Sequence, residues 1–366
     1  MVSMRLGLAF FSLVALAAVV ACSSPPPIAP SAPTPPPTSA PSAAIGGYTP
    51  APLNPRVAVR VMDNQVTSMV PVYIAYDRGY FSQEGLDIDL EVLNDNAAVL
   101  QTVATNQSQF AVTTPDPVIF NAIARGIDIK ILAPSTVNQP ADRPAQFVVR
   151  KDLIDSGAYK TPADLRGKTV GAPAQSSLWY VEKTLSQGGL TLADVNVTIL
   201  RTPDMPAAFQ SKSIDAAWVP EPVATAVDGQ GFGQTVASTG ELFPGAVAAA
   251  LLMSPQFGKE HPDAAQRFAI AYVRGARAYY ADWMQGADRA SIVQSFVTHT
   301  TIKDPALYDR IGLPSVEPNV STDPTASWNV FQEFFVRQGL QEQKVDLARY
   351  VDLSLVNAAV QQLGRV

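Results

Sequence analysis

One cysteine and two histidines are the whole supply of thiol and imidazole chemistry in these 366 residues. Cys22 follows Arg5, an apolar run over 6–20 and Ala21, and it precedes Ser23, Ser24 and a proline-rich stretch. A basic residue, a membrane-compatible run, small residues before a cut and a thiol at the new N-terminus form the order of a lipoprotein signal. Cys22 is therefore expected to be an acylated anchor and not a nucleophile. An ordinary signal peptide cut nearby, with Cys22 incidental, is the alternative, and both imply export. His261 and His299 are far apart and have no cysteine or carboxylate at ligand spacing, so a zinc site or a histidine-based triad lacks its parts. No catalytic residue, metal or cofactor is expected.

What remains is hydrogen bonding and stacking from loops. In open α/β sheets, ligands lie beyond the carboxyl ends of strands, against helix N-termini with free N–H groups. Six loops in this chain fall at such positions: 63–68, 94–96, 113–116, 172–177, 202–206 and 219–222. From these and their neighbours the candidate ligand-binding residues are Asp63, Asn64, Thr67, Asn94, Thr113, Thr114, Asp116, Ser176, Ser177, Trp179, Trp218 and Glu221. The hydroxyls and amides among them donate and accept, which suits a polar small molecule.

Each candidate also has a plainer role. Asp95, Thr114, Ser176 and Ser177 are good helix N-caps, and Asp116 balances a helix dipole. Trp179 and Trp218 are either core or one wall of a stack on a planar ligand. Glu221 either sits in the first turn of a helix starting near 220–222 or binds an exocyclic amine. The loops carry Asp63, Asp95, Asp116, Asp204 and Glu221, with no lysine or arginine except Arg201 at one edge. An anion gains from a cation or unopposed N–H groups. The acidic loops favour a neutral or amine-bearing ligand such as an aminopyrimidine or a flavin-like heterocycle, although helix N-termini alone hold a sulfonate.

The elements that must position these residues alternate along the chain. Strands are predicted over 57–62, 86–93, 110–113 and 129–133, with helices over 70–82, 97–105 and 118–125 between them. A second series predicts strands over 147–150, 169–171, 195–200, 215–218 and 247–253, separated by helical stretches such as 178–187. Such alternation argues for parallel βαβ units. After Pro255 the signals are helical, over 264–284, 288–298, 327–337 and 345–363. The segments 147–150 and 247–253 bracket the second series and are candidates for two crossings between lobes.

The resulting division is a signal over 1–22, a Pro/Ser/Ala linker over 23–55 that is expected to be disordered, a first lobe from 56–146 plus 254–366, and a second lobe over 147–253. With no second cysteine there is no internal disulfide, so stability rests on packing. The net charge of −6 offers no basic surface for nucleic acid. No segment beyond the signal is apolar for the ~20 residues a spanning helix needs.

Three stretches carry a family likeness. PVYIAYDRGYFSQEGLDIDLE (71–91), DLRGKTVGAPAQSS (164–177) and SKSIDAAWVPEPVATAV (211–227) resemble, in order, segments of ABC-importer solute-binding proteins. The branch is the one serving sulfonates, taurine, nitrate and thiamine-pyrimidine precursors, and the likeness covers roughly 56–290. It implies an α/β, two-lobed periplasmic-binding-protein type II fold, a ligand cleft between the lobes and a helical C-terminal region. It also implies hinge closure on a small solute, a permease with its ATPase as partner, a monomer, and no reaction. Pyrimidine synthases of related fold use a cysteine-rich motif, a catalytic histidine and a pyridoxal lysine; here the cysteine sits at position 22 and both histidines lie in the C-terminal half. A ligand-sensing subunit that reports to a receptor is the remaining alternative.

Overall fold

Short runs such as VAVRVMD and VAAALLM present apolar residues in strand-length units, and each becomes a strand in one of two five-stranded sheets. The computed structural model describes residues 47–366. The predicted signal, Cys22 and most of the linker lie outside the described residues. The first sheet has the order β2 (Leu86–Val92), β1 (Val57–Asp63), β3 (Phe110–Thr113), β10 (Val247–Met253) and β4 (Lys130–Val137). The second runs β7 (Asn196–Ile199), β6 (Thr169–Ala172), β8 (Ala216–Pro220), β5 (Ala145–Arg150) and β9 (Gly233–Ser238). In each sheet four strands run the same way, three of them paired as parallel neighbours, and the fifth, β10 or β5, follows a crossing and inserts antiparallel to both its neighbours.

Several elements depart from the sequence prediction. The helix predicted over 345–363 is confined to Ser354–Leu363, preceded by a single turn at Leu347–Arg349. The stretch 247–253, counted there with the second lobe, is β10 of the first sheet, where β3 and β4 both offer it a ladder and bury nearly all of it. The helix predicted over 70–82 breaks into Val70–Asp77 and Tyr80–Gln83, because Gly79 takes a left-handed φ of 66° between them. The strand β9 carries too little alternation to be predicted.

The chain crosses between sheets over 138–144 and again over 239–246, and the two crossings hydrogen-bond to each other. Asn138 N donates to Ala246 O at 2.8 Å, and Gly240 N donates to Asp142 O at 3.1 Å. Position 240 must be glycine for this approach, since a Cβ there would lie 1.9 Å from Gln139 O. The sequence offers 147–150 and 247–253 as the crossings, but both stretches lie in strands, within β5 and β10, and the passages between sheets precede them. A third passage is tied to the first crossing. Ser315, from the C-terminal region, donates its hydroxyl to Asp142 Oδ1 at 2.7 Å and its N–H to Oδ2 at 3.1 Å, and accepts from Val137 N.

The first lobe is braced by the helix Pro262–Tyr279, most of whose residues are buried. It packs against Val70–Asp77 closely enough that a Cβ on Gly275 would meet Pro71 O at 2.1 Å. One ionic cluster closes this packing. Glu84, fully buried at the turn before β2, accepts from Arg267 at 3.2 Å, Arg274 at 3.4 Å and the Tyr48 hydroxyl at 2.9 Å. Arg274 also lies 4.0 Å over the Tyr80 ring. Breaking a buried pair by removing one partner strands the other charge. Arg274→Ala is therefore expected to destabilise the protein by about 3–5 kcal/mol in urea denaturation; a loss well below 1 kcal/mol would show that Glu84 does not depend on it.

Candidate ligand-binding site

The carboxyl ends of both sheets face a cleft of about 460 Å³. From the first lobe it is lined by the loop after β1 (Asn64, Gln65, Val66, Thr67, Ser68), Asn96 after β2, Thr114 and Pro115 after β3, and Thr136 on β4. From the second come Ser176, Ser177 and Tyr180 after β6, Trp218, Pro220, Glu221 and Pro222 at the end of β8, and Thr239 after β9. Thr300, Thr301, Ile302, Pro314 and Phe331 enter from the C-terminal region.

Seven of the twelve predicted residues meet there: Asn64, Thr67, Thr114, Ser176, Ser177, Trp218 and Glu221. The other five have different surroundings. Asp63 is buried behind the cleft, where Oδ1 accepts from the Tyr73 hydroxyl at 2.5 Å and from Gln65 N at 2.7 Å. Asn94 is exposed outside the lining residues. The Thr113 hydroxyl donates to Thr114 O at 3.3 Å within β3's exit. Asp116 caps the helix Pro117–Ala124, accepting from Val118 N at 2.8 Å, as Asp95 does for Asn96–Ala104. Trp179 is buried, with its ring 4.8 Å from Phe331 and 4.9 Å from Phe243.

Aromatic side chains form one wall, and they come from both lobes. Trp218 is stacked on Tyr180, with centroids 4.6 Å apart and planes 3° apart, so one face of each ring is occupied within the protein. Phe331, on the helix Thr325–Arg337, lies 5.8 Å from Tyr180. The same helix end reaches across the lobes with an Arg337–Glu182 ion pair and a Gln338 bond to Glu182. Tyr180 was missed in the sequence because it reads as one more aromatic at helical spacing. Thr300 to Ile302 follow the helix Arg289–His299 and carry no local signal.

Glu221 is the only charged side chain lining the cleft; no lysine, arginine or histidine does so among the described residues. Its carboxylate is already engaged. Oε1 accepts from Gln146 Nε2 at 2.6 Å and Thr225 Oγ1 at 2.8 Å, and Oε2 accepts from Thr225 N at 3.0 Å. Burial pushes its pKa up, opposed by these donors and by Gly312 N. Behind it lies a smaller polar hollow of about 240 Å³ that includes Arg143 and Arg310. A third hollow, of about 560 Å³ beside Arg78 and Arg277, lies away from the strand ends, and its arginines are already bonded: Arg78 to Asp282 and Ser291, Arg277 to Pro318 O, Leu363 O, Gly364 O and Asn319.

Residues 66–283 match the model of the family described as NMT1/THI5 like. The chain belongs to this family. These are solute-binding proteins of ABC import, of the sulfonate, taurine and nitrate branch, and an extracytoplasmic class. The chain is similar to the riboflavin-binding protein RibY of Chloroflexus aurantiacus, 24% identical over 359 residues that cover 94% of this chain and 96% of that protein. It is also similar to the taurine-binding periplasmic protein of Escherichia coli, 24% identical over 240 residues, 64% of this chain and 72% of that one. Among solved structures, the aliphatic sulphonate binding protein SsuA of Escherichia coli superposes with a TM-score of 0.65 at 19% identity, covering 81% of this chain and 92% of that chain. The desulfurization enzyme DszB shares the fold too, with a TM-score of 0.60 at 15% identity, over 84% and 99%. The architecture is the periplasmic-binding-protein type II fold. Among the described residues no helix is long and apolar enough to cross a membrane.

The raised pKa of Glu221 has a signed consequence. A carboxyl whose folded pKa exceeds its unfolded value stabilises the fold most when protonated, and that contribution fades as pH climbs through the folded pKa. Glu221→Gln removes the titration and, with one oxygen replaced by NH2, loses the bond accepted from Thr225 N, a constant offset. Between pH 4 and pH 7.5 wild type is expected to lose stability relative to Glu221→Gln in paired urea melts; a relative gain over that range would contradict the assignment.

Proposed function

We propose that this protein is a membrane-anchored, extracytoplasmic binding protein that captures an uncharged, N–H-bearing aromatic heterocycle of the flavin class and delivers it to an ABC permease. The observation that carries the ligand class is the cleft's lack of any cationic side chain, together with a carboxylate whose oxygens are held by Gln146 and Thr225. A sulfonate or nitrate would find only hydroxyls and helix N-termini, whereas oxyanion sites in general gain most from arginine or lysine. A planar neutral ring instead meets the aromatic wall of Tyr180, Trp218 and Phe331. About 460 Å³ accommodates a tricyclic ring with a side chain and exceeds what taurine fills. Similarity to a protein named for riboflavin binding, over nearly the whole length of both chains, supports the same class.

The protein binds its ligand as the lobes close about the three-passage hinge and releases it unchanged. Thermal denaturation with riboflavin, an aminopyrimidine, taurine and nitrate tests this. Riboflavin at a hundred times its Kd is expected to add about 2.7 kcal/mol of stability, with no change from taurine or nitrate. A response to taurine or nitrate alone would transfer the protein to the anion binders, and turnover of riboflavin would make it an enzyme.

Anchoring rests on the lipoprotein order around Cys22. Cys22→Ser is expected to move the protein from the membrane fraction to the soluble extracytoplasmic fraction; retention in the membrane would remove the acyl anchor from this proposal.

A further inference from the structure

Four hydrogen-bonding side chains that line the cleft are more than nine-tenths buried: Thr136, Trp218, Thr239 and Thr300. Two of them are occupied. Thr239 donates its hydroxyl to Ala145 O at 2.9 Å, and Thr300 donates to Phe296 O at 2.8 Å. The Trp218 indole N–H and the Thr136 hydroxyl have no partner among the described residues, although buried groups of this kind are nearly always paired. Trp328, by contrast, donates its N–H to Val247 O at 2.9 Å.

Neither free donor is sealed in. The unpaired side-chain atoms that are wholly enclosed are Asn64 Oδ1, Ser295 Oγ and Gln341 Oε1, and the two donors are not among them. Trp218 keeps 3% of its surface and Thr136 keeps 2%, and both line the cleft and neither of the other two hollows. The opening left to each donor is therefore the cleft. Both residues stand on strands. Thr136 is on β4 opposite Ala249 of β10, and the small side chains of Ala248 and Ala249 line the cleft beside it. Trp218 is on β8 with one ring face on Tyr180, and its N–H lies in the ring plane, outside that stack. One donor belongs to each sheet, and a strand fixes a side chain more firmly than a loop does.

We propose that Trp218 Nε1 and Thr136 Oγ1 are the specificity-determining donors of this site, one from each lobe. They read the carbonyl oxygens of a neutral heterocycle, in a flavin those of its pyrimidinedione ring. The proposal rests on the flavin reading and deepens it. An exposed hydroxyl such as that of Thr114 exchanges water for ligand at little gain. A donor confined to the cleft discriminates by what is left unpaired, so a ligand without the matching oxygen is penalised beyond the lost contact. Because the donors come from different sheets, a ligand that serves both also ties the lobes together.

The test uses the full chain with riboflavin, 2-thioriboflavin and 4-thioriboflavin, titrated by isothermal calorimetry, since sulfur is a weak acceptor in place of a carbonyl oxygen. Wild type is expected to bind at least one thio ring about tenfold more weakly than riboflavin. Thr136→Val keeps the branched shape and removes the hydroxyl; Trp218→Phe keeps an aromatic ring and removes the N–H. Each is expected to weaken riboflavin about fivefold and to shrink its preference over the thio rings, a ratio that general loosening of the fold does not move. If Trp218→Phe does not fold, the benzothiophene analogue of tryptophan at position 218 keeps the bicyclic ring without the N–H and is read in the same way. Equal binding of all three rings by wild type overturns the proposal without any variant. So does either variant that keeps both the riboflavin affinity and the preference. If wild type binds none of the three, the flavin reading falls and this proposal with it; if it binds riboflavin and the ratios behave otherwise than expected, the proposal falls alone.

Discussion

Three passages of chain meet at the buried carboxylate of Asp142, which lies in the first crossing between sheets. It accepts from Gln139 N within its own turn at 2.8 Å and from the N–H and hydroxyl of Ser315 in the C-terminal region, while its carbonyl accepts from Gly240 in the second crossing. Burial raises its pKa and these three donors pull it back. A charge in this position is tolerable only because every direction of approach is filled by a donor. The consequence reaches the cleft. The strand ends of the two sheets confront each other at a spacing set by how these passages are tied, so the loops that present Asn64 and Ser176 share one frame.

The opposite side of the cleft is closed by aromatic packing. Trp179 and Tyr180, on the second lobe's helix Leu178–Ser186, lie against Phe331, whose helix is anchored by Trp328 donating to Val247 O at 2.9 Å. These contacts belong to a buried cluster that also includes β3 and β4 residues of the first lobe. Separating the lobes must expose them, at roughly 25 cal/mol for each Å² of apolar surface returned to water. Any separation of the two sheets would thus be opposed by a hydrophobic contact as well as by the Glu182–Arg337 pair. A ligand that touches Tyr180 and Phe331 strengthens the closed arrangement by adding to a surface already present.

The strands were legible because their apolar runs are short and bounded by turns, and the loops that follow them could be named as a site from topology alone. That logic found Asn64, Thr67, Thr114, Ser176, Ser177, Trp218 and Glu221 at the cleft. It could not assign direction within a loop: Asp63 and Asn64 are adjacent and polar, yet one turns inward to Tyr73 and the other to the cleft. Nor could it separate Trp179 from Tyr180: Trp179 is a candidate in the sequence and Tyr180 is not, yet neighbouring residues on one helix turn face different surroundings and Tyr180 is the one that lines the cleft. Thr300, Thr301 and Phe331 were beyond reach for another reason. They come from the C-terminal helices, whose docking on the sheets is a tertiary fact with no local pattern.

The fold by itself leaves the chemistry open, because the same architecture serves sulfonate binders and a desulfurization enzyme. What narrows it is the accounting of donors and acceptors in this cleft. Glu221 reads in sequence as a counter-charge for an amine, but its oxygens serve Gln146, Thr225 and the Gly312 N–H, two lobes' worth of partners. It fastens the hinge side and leaves few free lone pairs for a ligand to fill. Among the described residues no lysine, arginine or histidine lines the cleft either, so an anion finds no counter-charge there. Recognition then falls to shape, stacking and the pairing of individual polar atoms, and neutral heterocycles are the solutes that differ from one another in those respects.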